Sequence, residues 1–300
     1  MSTTYKDILS VSAKNILTAS VGGSGTLGLD RKGGAGFPEA LSIPVIAYFK
    51  DMETPFGAVP MVKLLDINGF KVVRVPLHGW RFPETTLEQT LATFWLLDKI
   101  GVQQVIVDAS VGGIRAKPWD IVIPDDVINN NPAKIAASRL AFELGKDPWV
   151  RMAKPFCLRL GKSFVQPFAD AKLKYPSLGN LIEGGTYYTM PLGPFETAAE
   201  IKMLQNSSMT IIGQSSGQEA LCARICGMCL AVINPVANFA EGINDGAWTP
   251  ISGGMDEIYR QMAMPMAQIV INTLRQIVKE PRSCDCAKIA KSTDLSTLTA

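Results

Sequence analysis

The sequence is short of charge. Only 19% of its residues are Asp, Glu, Lys or Arg, against 47% apolar ones, and the signs nearly cancel at +2. No dense block of Lys and Arg breaks that balance, so nothing in the chain asks for nucleic acid. Long apolar runs are missing too: none reaches the roughly 18 residues that a membrane span requires. The opening stretch MSTTYKDILSVSAKN lacks the basic start and apolar centre of a signal peptide. A reducing, cytoplasmic setting is therefore expected. Low charge without a membrane span also points to surface buried between subunits. Histidine occurs once, at His78. A lone histidine is more often a structural hydrogen bonder than a catalyst.

Cysteine is present six times, in patterns that do not read as a disulfide framework. Cys222, Cys226 and Cys229 have the three-then-two spacing of a radical iron–sulfur site. Their context, EALCARICGMCLAVI, reads instead as a helix stopped by Gly227 and then a buried strand, with the cysteines as core residues. Cys284 and Cys286 form a C-x-C pair near the C-terminus, able to clip or oxidise but weak evidence for either.

The chain, 300 residues long, fits one large α/β domain spanning 1–300, with 281–300 expected to be less ordered. Continuous apolar strands alternate with helical stretches and no linker-like composition intervenes. Strands are expected at Asn15 to Val21, Val45 to Phe49, Pro60 to Ile67, Lys71 to Leu77, Val102 to Val107, Asp120 to Pro124, Gly179 to Met190, Met209 to Ile212 and Cys229 to Pro235. Helices are expected at Thr86 to Ile100, Ala198 to Leu204, Gln218 to Ile225 and about Asp256 to Lys279, with Ala133 to Lys172 helical but ambiguous. Arg31 to Pro38 reads as an exposed loop. Such alternation predicts a mixed or mostly parallel sheet covered on both faces.

The stretch Gly184 to Glu200, GGTYYTMPLGPFETAAE, organises the functional reading. A β-prone run breaks at Gly193-Pro194, where proline ends any ladder, and Phe195-Glu196 follow before a helix. Strand ends are where α/β sheets keep their ligand crevices. An aromatic face beside a carboxylate can stack a flat heterocycle and accept its ring N–H. The plainer alternative makes Phe195 core and Glu196 a helix N-terminal residue. Other strand ends carry matching chemistry. Gly22-Gly-Ser24-Gly offers N–H groups and a hydroxyl for an oxyanion, without the Lys-Ser/Thr of a nucleotide loop. His78 is followed by Arg81, the side-chain type shaped for phosphate. Ser110, Ser215-Ser216 and Asn238 close three further strands, and a carboxamide can hydrogen-bond a heterocycle edge as donor and acceptor.

In chain order, GGSG, ETPFG at Glu53, HGWR at His78, VIVDASVGG at Val105, PWDIVIPDDVI at Pro118, GPFETAAEI at Gly193, GQSSGQEALCARICGM at Gly213, VANF at Val236 and SCDCA at Ser283 resemble the purine nucleoside phosphorylase and methylthioadenosine phosphorylase family. The resemblance covers most of the chain. It implies a single α/β domain around a central mixed sheet, assembled as homo-trimers or homo-hexamers. It implies cleavage of a purine nucleoside by phosphate, a co-substrate, with no cofactor or metal. Ser24, His78, Arg81, Ser110 and Ser215 would bind phosphate. Phe195, Glu196, Gln214 and Asn238 would surround base and sugar, with Asn238 and His78 as the catalytic pair. The resemblance also implies a 6-oxopurine preference from Asn238, where the methylthioadenosine branch usually has aspartate.

Departures cluster at phosphate and sugar. GQSSGQE loses the family's usual methionine and proline, Arg81 is displaced by one residue, and Phe82-Pro83 replaces a second histidine. Asp108 sets an acid near the phosphate loop, where it would repel a dianion by roughly 4 kcal/mol at an effective dielectric of 20, or do little if it is paired outside the pocket. Two alternatives stay open on these grounds: an enzyme on the same scaffold that does not use phosphate, and a binding protein without turnover.

Overall fold

The computed structural model describes residues 3–12, 16–29, 36–77, 86–129, 131–191, 193–243 and 254–290. After a first helix, α1 (Tyr5–Ser12), the central strand β1 (Thr18–Gly22) runs parallel to β4 (Phe70–Val75) on one side and to β5 (Gln104–Asp108) on the other. The longest central strand, β12 (Cys229–Phe239), lies parallel to β5. An antiparallel pair, β2 (Val45–Thr54) and β3 (Gly57–Ile67), extends the sheet beyond β4. The β3–β4 turn is Asn68-Gly69, with φ of 55° and 86°. Two positive φ angles in a two-residue loop are what a type I′ hairpin demands, and Asn-Gly meets that demand.

Side-chain alternation sends each central strand into two cores. Val105 and Val107 of β5, and Leu230 and Val232 of β12, pack on one face against α2 (Thr86–Lys99), α3 (Asn131–Leu144) and α7 (Ser216–Ile225). Ile106, Cys229, Ala231 and Ile233 pack on the other against α4 (Leu158–Lys162), α5 (Val165–Lys174) and α8 (Gly254–Ile277). Both faces are dry, so these strands show unbroken apolar runs. The ambiguous stretch Ala133 to Lys172 resolves into α3, a loop, α4 and α5.

β12 leaves β5 and pairs in its second half with β6 (Val111–Gly113), with a register shift between Val236 and Asn238. β11 (Ile211–Gly213) lies antiparallel to β6, and β10 (Thr186–Thr189) follows, then β8 (Asp126–Ile128). β7 (Ile121–Ile123) and β9 (Leu181–Glu183) form a side branch on β12. Glycines hid β6 from sequence reasoning, since they are poor strand formers. Gly113 is there for space: a Cβ would meet the Ala116 carbonyl at 2.2 Å. The Gly36–Pro38 end of the expected exposed loop is a correction as well. Phe37 is buried, its carbonyl accepts from Lys63 Nζ at 2.8 Å, and its ring lies 4.5 Å from the Arg74 guanidinium. Residues 31–35 lie outside the described residues, as does the end of the chain from 291; 286–290 form a short helix, α9 (Cys286–Ala290).

After the Gly193-Pro194 break, α6 (Ala198–Asn206) starts on a capping box. Glu200 Oε2 accepts from Thr197 N at 2.7 Å, and Thr197 Oγ1 accepts from Glu200 N at 3.3 Å. Two orphan amides of the first turn are thereby satisfied. Glu200, not Glu196, is the carboxylate serving the helix start. Thr197→Ala is expected to lower unfolding free energy by about 1 kcal/mol in a denaturant titration, while Glu196→Gln leaves helix stability alone.

Candidate active site

The loop after β1, the β5–β6 junction, the segment between β10 and α6, the β11–α7 junction and the end of β12 meet around one open cleft. Ser24, Ser110, Phe195, Glu196, Gln214, Ser215 and Asn238 all line it. The topology explains the convergence. Val111 pairs with Val236, and Gly112 pairs with both Asn238 and Ile212. The start of β6, the end of β11 and the shifted end of β12 are therefore neighbours. The register shift just before Asn238 belongs with this, because bulges re-aim side chains at site rims.

Asp108 does not line the cleft. Both Asp108 and Arg74 are fully buried, and Arg74 Nη1 donates to Asp108 Oδ1 at 2.6 Å and to Ser20 Oγ at 2.7 Å. Arg74 Nη2 donates to Thr26 Oγ1 at 2.8 Å, and Thr26 Oγ1 donates to Asp108 Oδ2 at 2.7 Å. Gly23 N donates to the same Oδ2 at 3.3 Å. The carboxylate thus meets a guanidinium and folds the loop after β1. The repulsion expected from an unpaired acid does not arise. The glycines of GGSG are also reread: a Cβ on Gly22 would meet Arg74 Nη2 at 2.1 Å, and one on Gly23 the Asp108 carbonyl at 1.9 Å. They admit the ion pair, and the Gly23 amide is spent on Asp108 and not on a ligand.

What that loop presents is Ser24. Its hydroxyl accepts from Ser110 N at 3.0 Å and bonds the Ser110 hydroxyl, which lies 3.1 Å from Tyr259 Oη of α8. A chain of three hydroxyls therefore edges the cleft, and its two internal hydrogen bonds leave one hydroxyl proton to turn toward an acceptor. Across it, Tyr187 is fully buried under β11, and its Oη accepts from Ser215 N at 3.3 Å and Ser216 N at 3.4 Å. Burial pushes its phenol up, so it stays protonated. Tyr187 satisfies the first amides of α7, and the Ser215 side chain makes no cap of its own. Ser215 is thereby available to the cleft at a helix N-terminus, a place that favours anions. A Cβ on Gly213 would meet Tyr187 Oη at 2.2 Å, so the phenol and this glycine require one another.

Glu196 is buried and accepts from Glu241 N at 3.3 Å. It precedes the α6 cap, so the helix-dipole alternative does not describe it. Phe195 is 56% exposed, which removes the alternative that it is core. Gln214 Nε2 donates to the Gly193 carbonyl at 3.4 Å, tying two of the lining loops together. Asn238 Nδ2 donates to the Phe239 carbonyl at 2.7 Å. His78, Arg81 and Pro83 lie outside the described residues. Met190 and Tyr259 line the cleft unforeseen. Tyr259 sits in the last helix, and only tertiary packing brings it to the site. Glu196 is the one carboxylate among the described lining residues, and no metal-ligand grouping of the described residues lies here.

Asp108→Asn is expected to cost about 3–5 kcal/mol in unfolding free energy, because Arg74 is left buried without its counter-charge. The Asp108→Asn/Arg74→Met pair is expected to cost less than the sum of the single changes in a double-mutant cycle.

Comparison with known proteins fits this geometry. Residues 42–275 match the model of the phosphorylase superfamily. A probable S-methyl-5'-thioinosine phosphorylase of Methanothermobacter thermautotrophicus is 26% identical over 270 residues, covering 88% of this chain and 89% of that protein. An S-methyl-5'-thioadenosine phosphorylase of Pyrococcus horikoshii is 30% identical over 250 residues, covering 80% and 90%. Among solved structures, a methylthioadenosine phosphorylase from an antarctic soil metagenomic library superposes with a TM-score of 0.71 at 20% identity, covering 92% of this chain and 91% of that one, a likeness of fold. With a family match over most of its length and this arrangement of strand ends, the chain belongs to the phosphorylase superfamily.

Proposed function

We propose that this chain is a pentosyltransferase that cleaves purine nucleosides with phosphate. A phosphate oxygen bonds to the anomeric carbon, the N-glycosidic bond breaks, and free purine and a sugar 1-phosphate leave. The observation that carries the reading is a single cleft shared by three serine hydroxyls, an exposed phenylalanine, a buried glutamate and a carboxamide. The sugar becomes cation-like as the bond breaks, so an anion held against it lowers the barrier. Ser24, Ser110 and Ser215 are assigned to that phosphate, together with His78 and Arg81 by family resemblance. The neutralisation of Asp108 by Arg74 removes the main electrostatic objection to it. Phe195 stacks the base, Glu196 holds its N1 edge and Gln214 borders the sugar.

Asn238 faces the purine's N7 and 6-substituent. One of its two amide hydrogens is held by the Phe239 carbonyl, which fixes which way the amide points. The second N–H then meets a 6-oxo group well and a 6-amino group badly. Turning the amide over would set its oxygen against the Phe239 oxygen. The support is for 6-oxopurine nucleosides, with or without a methylthio group, over adenosine-like ones. The relatives carry both base types in their names, thioinosine and thioadenosine. We take the working form as a cytoplasmic homo-oligomer, a trimer or hexamer. Exposed Ile135 and Phe142, seven residues apart on α3, suit a covered face, and no described helix is long and apolar enough to cross a membrane.

Inosine is expected to release hypoxanthine only when phosphate is present, and release without phosphate overturns the assignment. Asn238→Asp is expected to shift the inosine-to-adenosine ratio of kcat/KM toward adenosine by about 10-fold or more, since the exchange costs one hydrogen bond and adds one repulsion. An unchanged ratio removes Asn238 from base selection. Ser24→Ala and Ser215→Ala are each expected to act on KM for phosphate more than on KM for nucleoside.

A further inference from the structure

Four cysteines that play no part in the nucleoside cleft converge at the far end of β12. Cys157 precedes α4, Cys229 opens β12, and Cys284 and Cys286 flank Asp285 at the start of α9. Their sulfurs all lie within 4.8 Å of one another, with Cys157, Cys229 and Cys286 buried and Cys284 half-buried. The three-cysteine spacing noticed in the sequence is not this group. Cys222 lies in α7 and Cys226 just past its end, both on one face of the sheet, and Cys229 faces the other. Cys157, unremarked in the sequence, takes their place beside it.

We propose that Cys157, Cys229, Cys284 and Cys286 form a structural tetrathiolate zinc site. A zinc ion with four sulfurs at about 2.3 Å places those sulfurs roughly 3.8 Å apart, so a cluster of this size closes on the ion with small adjustments. The Cys229 and Cys284 sulfurs stand at 3.0 Å and would open by roughly 0.8 Å to seat the ion, and all four sulfurs lie together and not in two separated pairs.

The charge around the cluster favours thiolates over neutral disulfides. Arg282 Nε donates to Cys229 Sγ at 3.2 Å. Arg224 is buried, donates to the Cys286 carbonyl at 3.5 Å and to the Lys154 carbonyl at 2.5 Å, and makes no carboxylate pair among the described residues. Four thiolates around Zn²⁺ carry a net charge of −2, which these guanidinium groups balance. All four positions are filled by protein, leaving none open for chemistry. Cys229 also lies nine residues from Asn238 along an extended strand, roughly 30 Å away. The ion would fasten the C-terminal segment to the first residue of the central strand, and its loss would loosen that segment before it touched the cleft.

The test uses the full chain, expressed without a metal-binding tag and purified under argon with a reductant that does not chelate. Elemental analysis is expected to find one zinc per chain. Cobalt(II) exchanged into the site is expected to give the sulfur-to-metal charge-transfer and tetrahedral d–d absorption of a four-thiolate centre. Cys284→Ser, at the least buried ligand, is expected to weaken zinc binding by more than about 10-fold and lower the melting temperature, with phosphate-dependent turnover at low temperature kept. A chain that is metal-free, takes up neither zinc nor cobalt when reduced, and keeps its melting temperature with a chelator overturns the proposal. So does an intact mass four hydrogens light, showing two disulfides formed in place of thiolates. Metal content and absorption are read without nucleoside, so this test fails or succeeds independently of the proposed activity.

Discussion

The buried pair of Arg74 and Asp108 is the constraint on which the site rests. It joins β4 to β5 across β1, and through Thr26 and Gly23 it also holds the loop that carries Ser24. Two charges taken out of water gain little net stability even when well paired. Their value here is positional. With one guanidinium and one carboxylate fully engaged, the loop has one way to close, and Ser24 is set against the Ser110 amide and hydroxyl. Glycine is required at positions 22 and 23 because any side chain would collide with Arg74 or with the backbone of Asp108.

β12 is the second organising element, and its two ends do different work. Its first half is a buried parallel strand between two cores, with alternate residues feeding each. Its second half leaves β5 for β6, shifts register and brings Asn238 to the cleft. A strand held rigid along its length is a good support for an amide whose orientation matters. The Phe239 carbonyl completes the arrangement by fixing which way that amide points.

The departures from the family pattern have local compensations. The segment after β11 lacks the usual methionine and proline, and Tyr187 supplies what the backbone there needs by accepting from two amides at the start of α7. Ser215 keeps its hydroxyl for the cleft. The unexpected acid at position 108 arrives with an arginine at position 74, two strands away in space and 34 residues away in sequence.

The sequence by itself determined the layered α/β body, because apolar runs and helical periodicity report directly on burial. Ordered motifs also made most of the cleft legible: Ser24, Ser110, Phe195, Glu196, Gln214, Ser215 and Asn238 meet where strand ends were expected to meet. Glycine-rich β6 was not legible, since its pairing comes from neighbours and not from propensity. Neither was Tyr259, which α8 delivers from far along the chain, nor the partnership of Asp108 with Arg74. Only the tertiary structure decided whether that acid opposed an anion or steadied its loop, and which cysteines became neighbours. Both are questions of which face of a strand a side chain occupies and what another element sets against it, and spacing along a chain carries no record of that.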